Sequence, residues 1–395
     1  MTHPVPNPLG RTPADWRSIR SGRSRPFEFL AERLIFAISL TAIAMVFLIF
    51  LFIGREALPI LTGRLSSAAD QETTTLPVEA LDRLPSERLR EYLELTPSEF
   101  AGMDRETLRA LMEVRIEAAR ETPTDRDAQI NTVAWRYLLR PHQWTDYDRP
   151  AYVWQPVSRI HKYNIVPLVA GTLKTTFVAL LVAVPIAIGA AIYVSQLARP
   201  WVKEWIKPAI EMLSAIPSVV LGAFAAIVLA SALQSALGLQ YRLNAGLAGL
   251  ALALAGIPLI FSIAEDALTS VPRSYTQAAL ALGASRWSAA WRIVVPAALP
   301  GLFAAVVLGF GRCIGETMVV LIASGNAAFL SANLFEPTRT VTATIAAELG
   351  ETVVGGHHYR MLFVLGTLLF VVTFATNVVA ELVMHRLRRS FEGRS

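Results

Sequence analysis

The sequence is poor in charge and nearly devoid of cysteine. Asp, Glu, Lys and Arg make up 17% of its 395 residues, and Cys313 is the single cysteine. One thiol excludes an internal disulfide framework and a cysteine-built metal site. A soluble chain carries about a quarter of its residues as charge, so the deficit excludes an ordinary soluble domain. Three catalytic signatures are also missing: G-x-x-x-x-G-K-[ST], G-x-S-x-G and H-E-x-x-H. The chain is therefore expected to be no enzyme, with energy supplied by another polypeptide. His357 and His358 are adjacent but have no third ligand in place, so no metal site is expected. Glu265 and Asp266 read as loop residues at the end of an apolar run, without an acid–base partner.

What the sequence has in abundance is apolar length. It is 53% hydrophobic, with a mean hydropathy of +0.45. Residues 34–54, 175–198, 212–241, 243–264 and 361–380 contain no charge, and residues 300–324 contain only Arg312 and Glu316. At about 1.5 Å per helical residue, each run can cross a hydrocarbon layer of about 30 Å. The expected class is an all-α polytopic membrane protein with six spans. The net charge of +5 is gathered at the ends of these runs, which suits membrane topology rather than nucleic acid. Arg11, Arg17, Arg20, Arg23, Arg25 and Arg33 precede the first span, and His385, Arg386, Arg388 and Arg389 follow the last. Both termini are thus expected in the cytoplasm, with the first span retained rather than cleaved. Residues 1–33 and 386–395 would be the cytoplasmic tails, and 34–54 the first membrane helix. Pro185, Gly189, Pro217, Gly222, Gly256, Pro258, Gly309, Gly311 and Gly315 lie inside the spans and suit close-packed, bent helices.

Residues 55–163 then fall outside. They hold 15 basic and 18 acidic residues, against the basic excess elsewhere. Leu93, Leu95, Phe100, Leu108, Leu111 and Met112 suggest two or three short helices over 85–121. Trp135, Tyr137, Trp144, Tyr147, Tyr152 and Trp154 are expected on the membrane interface or over the end of the bundle.

Between the fourth and fifth spans the chain reads VPRSYTQAALALGASRWSAAWRIVVPAALPG. The pattern suggests a helix over 275–281, a turn at Gly283 and a second helix over 285–293 limited by Pro296. Gln277, Ala278, Ala279, Gly283, Ile293, Val295 and Pro296 match the Glu-Ala-Ala, Gly, Ile, Leu-Pro spacing of ABC importer membrane subunits, with Gln for Glu and Val for Leu. The chain resembles that family of binding-protein-dependent transport inner-membrane proteins. The resemblance implies a six-helix permease core over 165–385, a coupling loop over 265–299 that docks on a separate ATPase, and Arg286 and Arg292 at its rim.

In GFGRCIGETMVVLIASGN, Arg312 and Glu316 stand at i,i+4 on the expected helix face. A lone charge at mid-bilayer costs at least roughly 2.5 kcal/mol, whereas an exposed helix pair returns only about 0.2–0.5 kcal/mol. The pair should therefore face the bundle interior or a partner, where the arginine fork can attract an oxyanion. A structural interhelical bridge is the alternative. This segment, TRTVTATIAAELGE and GTLKTTFVALLVAVPIAIGAAIYVSQLA resemble the first membrane subunit of phosphate-specific ABC importers. That likeness implies import of inorganic phosphate in a bacterial inner membrane, with a homologous sister permease, an ATPase dimer that carries ATP and magnesium, and a periplasmic phosphate-binding protein. It also implies that this chain binds no cofactor of its own. Membrane lipid is a further partner, and a sensor or regulatory protein is compatible with the same family. Arg312, Glu316, Arg339 and Glu348 are the translocation or gating candidates, with Glu351 beside them. The residues themselves leave open another oxyanion or polar solute, and a membrane scaffold or signalling subunit.

Overall fold

Long apolar segments can satisfy their backbone hydrogen bonds in lipid only by becoming helical. Among the described residues of the computed structural model, six helical stretches are long and apolar enough to cross a bilayer: Leu30–Leu61, Val166–Leu197, Ser218–Leu237, Ala245–Thr269, Arg286–Gly315 and His357–Met384. The protein is thus the expected all-α, six-span type. The structure describes residues 26–64, 83–93, 95–120, 127, 130–145, 147–158 and 160–392. The arginine-rich tail through Arg25, the far C-terminus (393–395), and residues 65–82 and 121–126 of the external segment lie outside the described residues.

The chain forms two compact units, Met1–Ile53 and Gly54–Ser395. In the first, the described part is the bulk of helix α1 (Pro26–Leu61), which carries no charge over residues 34–54. In the second, α2 (Ser86–Leu93), α3 (Pro97–Gly102) and α4 (Arg105–Arg120) fall in the stretch 85–121, where two or three short helices are expected. Thr96 and Glu99 form a reciprocal cap at the start of α3, which fixes where the chain re-enters a helix. Tyr92, Leu93, Met112 and Ile116 bury a small core of their own.

Helix α5 (Trp135–Leu139) and the two-residue antiparallel strands β1 (Trp154–Gln155) and β2 (Lys162–Tyr163) follow. This stretch covers part of the bundle end rather than lying wholly on a membrane surface. Val133, Leu138, Trp154 and Tyr163 share one buried cluster with Leu168, Val341, Met361, Leu362 and Leu365. Asp127 ties it internally by accepting from the Thr145 amide at 2.7 Å and hydroxyl at 2.8 Å, and from His142 at 3.2 Å. Burial disfavours the charged carboxylate, but the Thr145 and His142 contacts outweigh it and hold Asp127 below the ordinary aspartate range.

The membrane core is built on small residues. Helix α6 (Val166–Ile192) presents Ala179, Ala183, Ala187 and Ala191 at every fourth position, all fully buried. They meet Ala248, Ala251 and Leu252 of α10 (Ala245–Thr269). A β-carbon on Gly249 would stand 2.5 Å from the Val178 side chain. Burial from water gives no drive between helices already in lipid, so such close approach is what adds dispersion energy. On its other side α10 receives α13 (Val295–Gly315). Gly301 is set against Ala267 and Gly309 against Ile260. Helix α16 (His357–Glu392) completes the packing against α13.

Three departures from the expected spans matter for function. The third span does not begin at residue 212: Met212 and Leu213 end α7 (Pro200–Leu213), and the span begins only at Ser218, as α8 (Ser218–Phe224), a π turn at Ala225–Leu229 and α9 (Ala230–Leu237). Pro217 enforces the interruption, because it lacks an N–H and disfavours a helical residue before it. Secondly, the helix beginning at Arg286 is not limited by Pro296. It runs as α12 (Arg286–Ala289), a π turn at Ala290–Val294 and α13. The Val295 N–H reaches back five residues to Ala290, so the wide turn has already shifted the bonding ladder where proline withdraws its donor. Thirdly, α13 stops at Gly315, and the chain is extended at Glu316 before α14 (Met318–Ala323).

Adding a methyl group at Gly171 would bring it 2.2 Å from the Arg339 carbonyl oxygen, a backbone atom, whereas Gly189 has open space. Gly171→Ala should destabilise the purified chain by about 1–3 kcal/mol through overpacking, seen as a lower melting temperature in detergent. Gly189→Ala should leave it unchanged or slightly raised. The Asp127 tie contributes stability above the ordinary aspartate pKa of about 3.9 and should lose it as pH falls through the depressed folded value. Hydrogen exchange at the Thr145 amide, corrected for its intrinsic rate, should accelerate only in that acid window.

Candidate functional site

The coupling-loop candidates lie on one exposed elbow. Helix α11 (Arg273–Ala281) ends where Leu282 caps it and Gly283 adopts a φ of +86°. The Gly283 amide bonds to the Leu280 carbonyl and the Ala284 amide to that of Ala279, both at 3.0 Å. This crossed pair is a glycine-terminated helix end that a residue with a β-carbon adopts only under strain. Ser285 then caps α12 by accepting from the Ser288 amide. Ala279 packs inward, while Gln277, Ala278, Gly283, Arg286 and Arg292 are exposed and Pro296 is half-buried. Leu282 is 90% exposed, a large apolar side chain held out at the tip of the turn. Trp287 and Trp291, both exposed, stack on each other with ring centroids 6.1 Å apart. Gln277 stands on the exposed face without a charge to offer.

The charged pair sits deeper. Cys313 lies against Gly256, near the midpoint of α10, with its sulfur 3.3 Å from where a glycine β-carbon would be. Arg312 is therefore close to the middle of the span. Its Nη2 is 3.7 Å from Glu316 Oε2, and the side chains are 56% and 9% exposed respectively. The two residues do not share a continuous helix face as the spacing suggested. Glu316 has left the helix, with ψ at 131°, and its freed carbonyl accepts the Thr342 hydroxyl at 3.0 Å. Thr342 belongs to α15 (Val341–Glu348). A break at membrane depth is tolerated when another side chain takes up the released backbone group.

Arg312 opens on a cavity of about 370 Å³ also lined by Glu211, Ser214, Ile216, Ser218, Pro258 and Ser262. The interruption between α7 and α8 thus forms one wall and α10 another. The 3.7 Å pairing is too long for a hydrogen bond, and so long a pair with its arginine exposed contributes at most about 1 kcal/mol. That cannot offset a charge at mid-bilayer, worth roughly 2.5 kcal/mol or more. Water in the cavity must supply the rest. Arg312 and the hydroxyls of Ser214, Ser218 and Ser262 are groups that can meet an oxyanion, set beside the Glu211 carboxylate in a lining that is otherwise apolar (Leu213, Ile216, Leu221, Ala255, Pro258 and Leu259). Ser218 and Ser262 were not singled out by sequence, since isolated serines in apolar runs carry no signal of their own.

Arg339 and Glu348 form a separate pair. Arg339 Nη1 lies 2.6 Å from Glu348 Oε1, and its Nε donates to the carbonyl and side-chain oxygens of Asn326 at 3.1 and 3.0 Å. Glu348 also accepts from the Trp154 indole at 3.1 Å and pairs with His358 at 2.9 Å. This carboxylate joins the external segment, α15 and α16. Asn326 has a φ of 48°, a left-handed conformation that its short amide tolerates and that the Arg339 contacts hold. Lys174 binds the neighbouring loop through the carbonyls of Ser331 and Asn333. Glu351 ends the short turn after α15 and is exposed.

Sequence reasoning also missed the environment of Glu265. It is not a loop residue but a buried member of α10, 2% exposed, and it holds Lys203 and Lys207 of α7 at 3.1 and 2.7 Å. The i,i+4 lysines were the available signal. Among the described residues no group of three metal-ligating side chains occurs, and the two histidines diverge: His357 is buried while His358 pairs with Glu348.

Glu348→Ala would strand Arg339 and remove the Trp154 acceptor together. Stability should fall by roughly 2–4 kcal/mol, less than for a sealed ion pair because Arg339 retains some exposure. Thermal melting would register the loss, and hydrogen exchange should localise it to residues 154–163. Glu348→Gln, which keeps an acceptor, should lose less.

The family model described as "Binding-protein-dependent transport system inner membrane component" matches residues 183–391. The phosphate transport system permease protein PstC of Xylella fastidiosa (strain 9a5c) is 34% identical over 256 residues, covering 60% of this chain and 78% of the relative. PstC of Pasteurella multocida (strain Pm70) is 33% identical over 260 residues, 61% and 80% of the two chains. The probable ABC transporter permease protein YqgH of Bacillus subtilis (strain 168) is 35% identical over 223 residues, 56% and 72%. Of solved structures, the inward-facing MetNI methionine ABC transporter aligns with 56% of this chain and 94% of its own, at 17% identity and a TM-score of 0.43. The chain belongs to the family of binding-protein-dependent transport system inner membrane components and is a multi-pass inner-membrane protein.

Proposed function

We propose that this family member is a permease subunit of an ATP-driven importer of inorganic phosphate. It forms half of the translocation path with a homologous sister subunit. The observation that carries the reading is Arg312: a guanidinium at mid-span, 56% exposed, opening on a cavity whose lining includes the hydroxyls of Ser214, Ser218 and Ser262. A charge placed there at a cost of a few kcal/mol has a use if cargo must exchange water for protein contacts on its way across. The two PstC relatives, both named for phosphate transport, support phosphate as the oxyanion.

In this reading the chain itself hydrolyses nothing and binds no cofactor. ATP and magnesium belong to a separate ATPase dimer, which receives the elbow of Gln277, Ala278, Ala279, Gly283, Arg286, Arg292 and Pro296. Leu282 and the rim arginines provide an apolar tip and charged flanks for that contact. A periplasmic binding protein delivers phosphate at the opposite face, and both termini are cytoplasmic. The ATPases close and reopen, and the cavity faces alternate sides. Glu316 holds Arg312 loosely at 3.7 Å, so an incoming anion can take the fork without breaking a short hydrogen bond. Arg339 and Glu348, locked with Trp154 and His358, brace the outer gate rather than meet cargo. Transport of another oxyanion is the alternative, because arginine and hydroxyls would recognise sulfate as well.

The test is reconstitution with the sister permease, ATPase and binding protein in vesicles, followed by ATP-dependent uptake of labelled phosphate and sulfate. Phosphate should enter and sulfate should not. Equal uptake, or none of either, would sink the assignment. Arg312→Ala should reduce uptake by at least about tenfold, the effect of one charged hydrogen-bond partner, with the complex still assembled. Arg312→Lys should recover only part of it, since a point charge lacks the fork.

A further inference from the structure

We propose that Glu265 is a positioning residue that locks α7 to the inner end of α10, so that the coupling loop and α7 move as one piece and the cavity wall beyond α7 turns with them. The inference rests on the transport reading above for its functional meaning, but its geometry is independent of the cargo.

Glu265 is buried, and each of its oxygens has its own partners. Oε1 lies 3.1 Å from Lys203 Nζ and accepts the Thr269 hydroxyl at 3.1 Å; Oε2 takes Lys207 Nζ at 2.7 Å. Lys207 also approaches the exposed Asp266 at 3.8 Å. Two lysines one helical turn apart thus grip a single carboxylate from both sides. Apolar contact already seats this helix, because Ile206 and Ile210 pack on the main core. Burying an ion cluster is a poor way to add stability. What it adds is register: sliding α7 by one turn would detach a lysine and leave a buried carboxylate under-paired.

The two ends of this strut are the functional ones. Glu265 lies within eight residues of Arg273, where the coupling elbow begins. At the far end of α7, Glu211 and Leu213, then Ser214, Ile216 and Ser218 beyond the interruption, line the cavity facing Arg312. A displacement of the elbow is therefore delivered through α10 and Glu265 to the wall of the cavity, while the non-helical stretch at 214–217 supplies the hinge. The opposite face of α7, with Trp201, Trp205 and Met212, is exposed and takes no part in the grip.

Glu265→Gln preserves shape and removes the charge. In the reconstituted complex, ATP hydrolysis stimulated by loaded binding protein should stay close to wild type. Phosphate moved per ATP should fall at least about fivefold, the lower end of ordinary coupling energies. A wild-type ratio, or a parallel fall of hydrolysis and uptake, overturns the lock. A second measurement covers poor assembly of the variant: spin labels at Glu204→Cys and Arg273→Cys, with Cys313→Ser, on the full chain in detergent. Their distance should be narrowly distributed with Glu265 present and broad with Glu265→Gln; equally narrow distributions overturn the proposal. If the unmutated complex moves no phosphate, the transport reading falls, while the label distances still decide whether α7 is locked.

Discussion

Hydrocarbon offers no partner to a polar group, and the rest of the structure is arranged around that constraint. Two departures from apolar helix inside the spans are met by compensating contacts. The carbonyl released at Glu316 accepts Thr342, and Glu265 is held by two lysines and a threonine. Arg312 is the exception in degree. Its pairing with Glu316 is long, and its side chain is more than half exposed. The cavity formed by the interruption of α7 and α8 is what lets a charge persist there, because an irregular backbone at membrane depth is viable beside water. Cavity, interruption and arginine explain one another physically.

Small residues determine how rigid the frame around that cavity is. The alanine ladder of α6 and the glycines of α10 and α13 bring backbones close enough for a β-carbon to clash at Gly249, Gly301 and Gly309. Interfaces of this kind resist graded deformation, since any shift opens voids or creates overlaps. Movement is then expected where packing is interrupted, at 214–217 and 316–317, and not within the α6–α10–α13 layer. The external end is fastened in a different way. Glu348 gathers three partners from three segments, a charged knot in place of small-residue contact.

The number and class of the spans were legible in the sequence, because a run of twenty apolar residues has few structural outcomes. The turn at Gly283 was also legible, since Gly283 and Ser285 act through local backbone chemistry. The breaks were not. Pro296 and Pro217 are equally proline, yet one sits inside a continuous helix after a π turn and the other separates two helices. Likewise Arg312 and Glu316 have the spacing of a helical pair, but Thr342, some 26 residues later, supplies the bond that permits Glu316 to leave the helix. Glu265 read as a loop acid because its partners, Lys203 and Lys207, stand 58 residues or more away. Local periodicity cannot report such distant partners.

The placement of Glu265 also bears on why a coupling loop can act at a distance. An elbow that is merely tethered to a span would dissipate a displacement in side-chain rearrangement. Here the final turns of α10 are fixed on two sides, by α13 through Gly301 against Ala267 and by α7 through the lysine grip. The second contact is directional, since charges on a short, doubly held carboxylate define a register that apolar packing alone leaves degenerate. A displacement entering at Arg273 therefore has a stiff route along α7, and the first compliant element it meets is the non-helical stretch beside Arg312. On the coupling proposed above, the cavity would respond to the elbow because it is built at the hinge, and Arg312 stands beside that hinge.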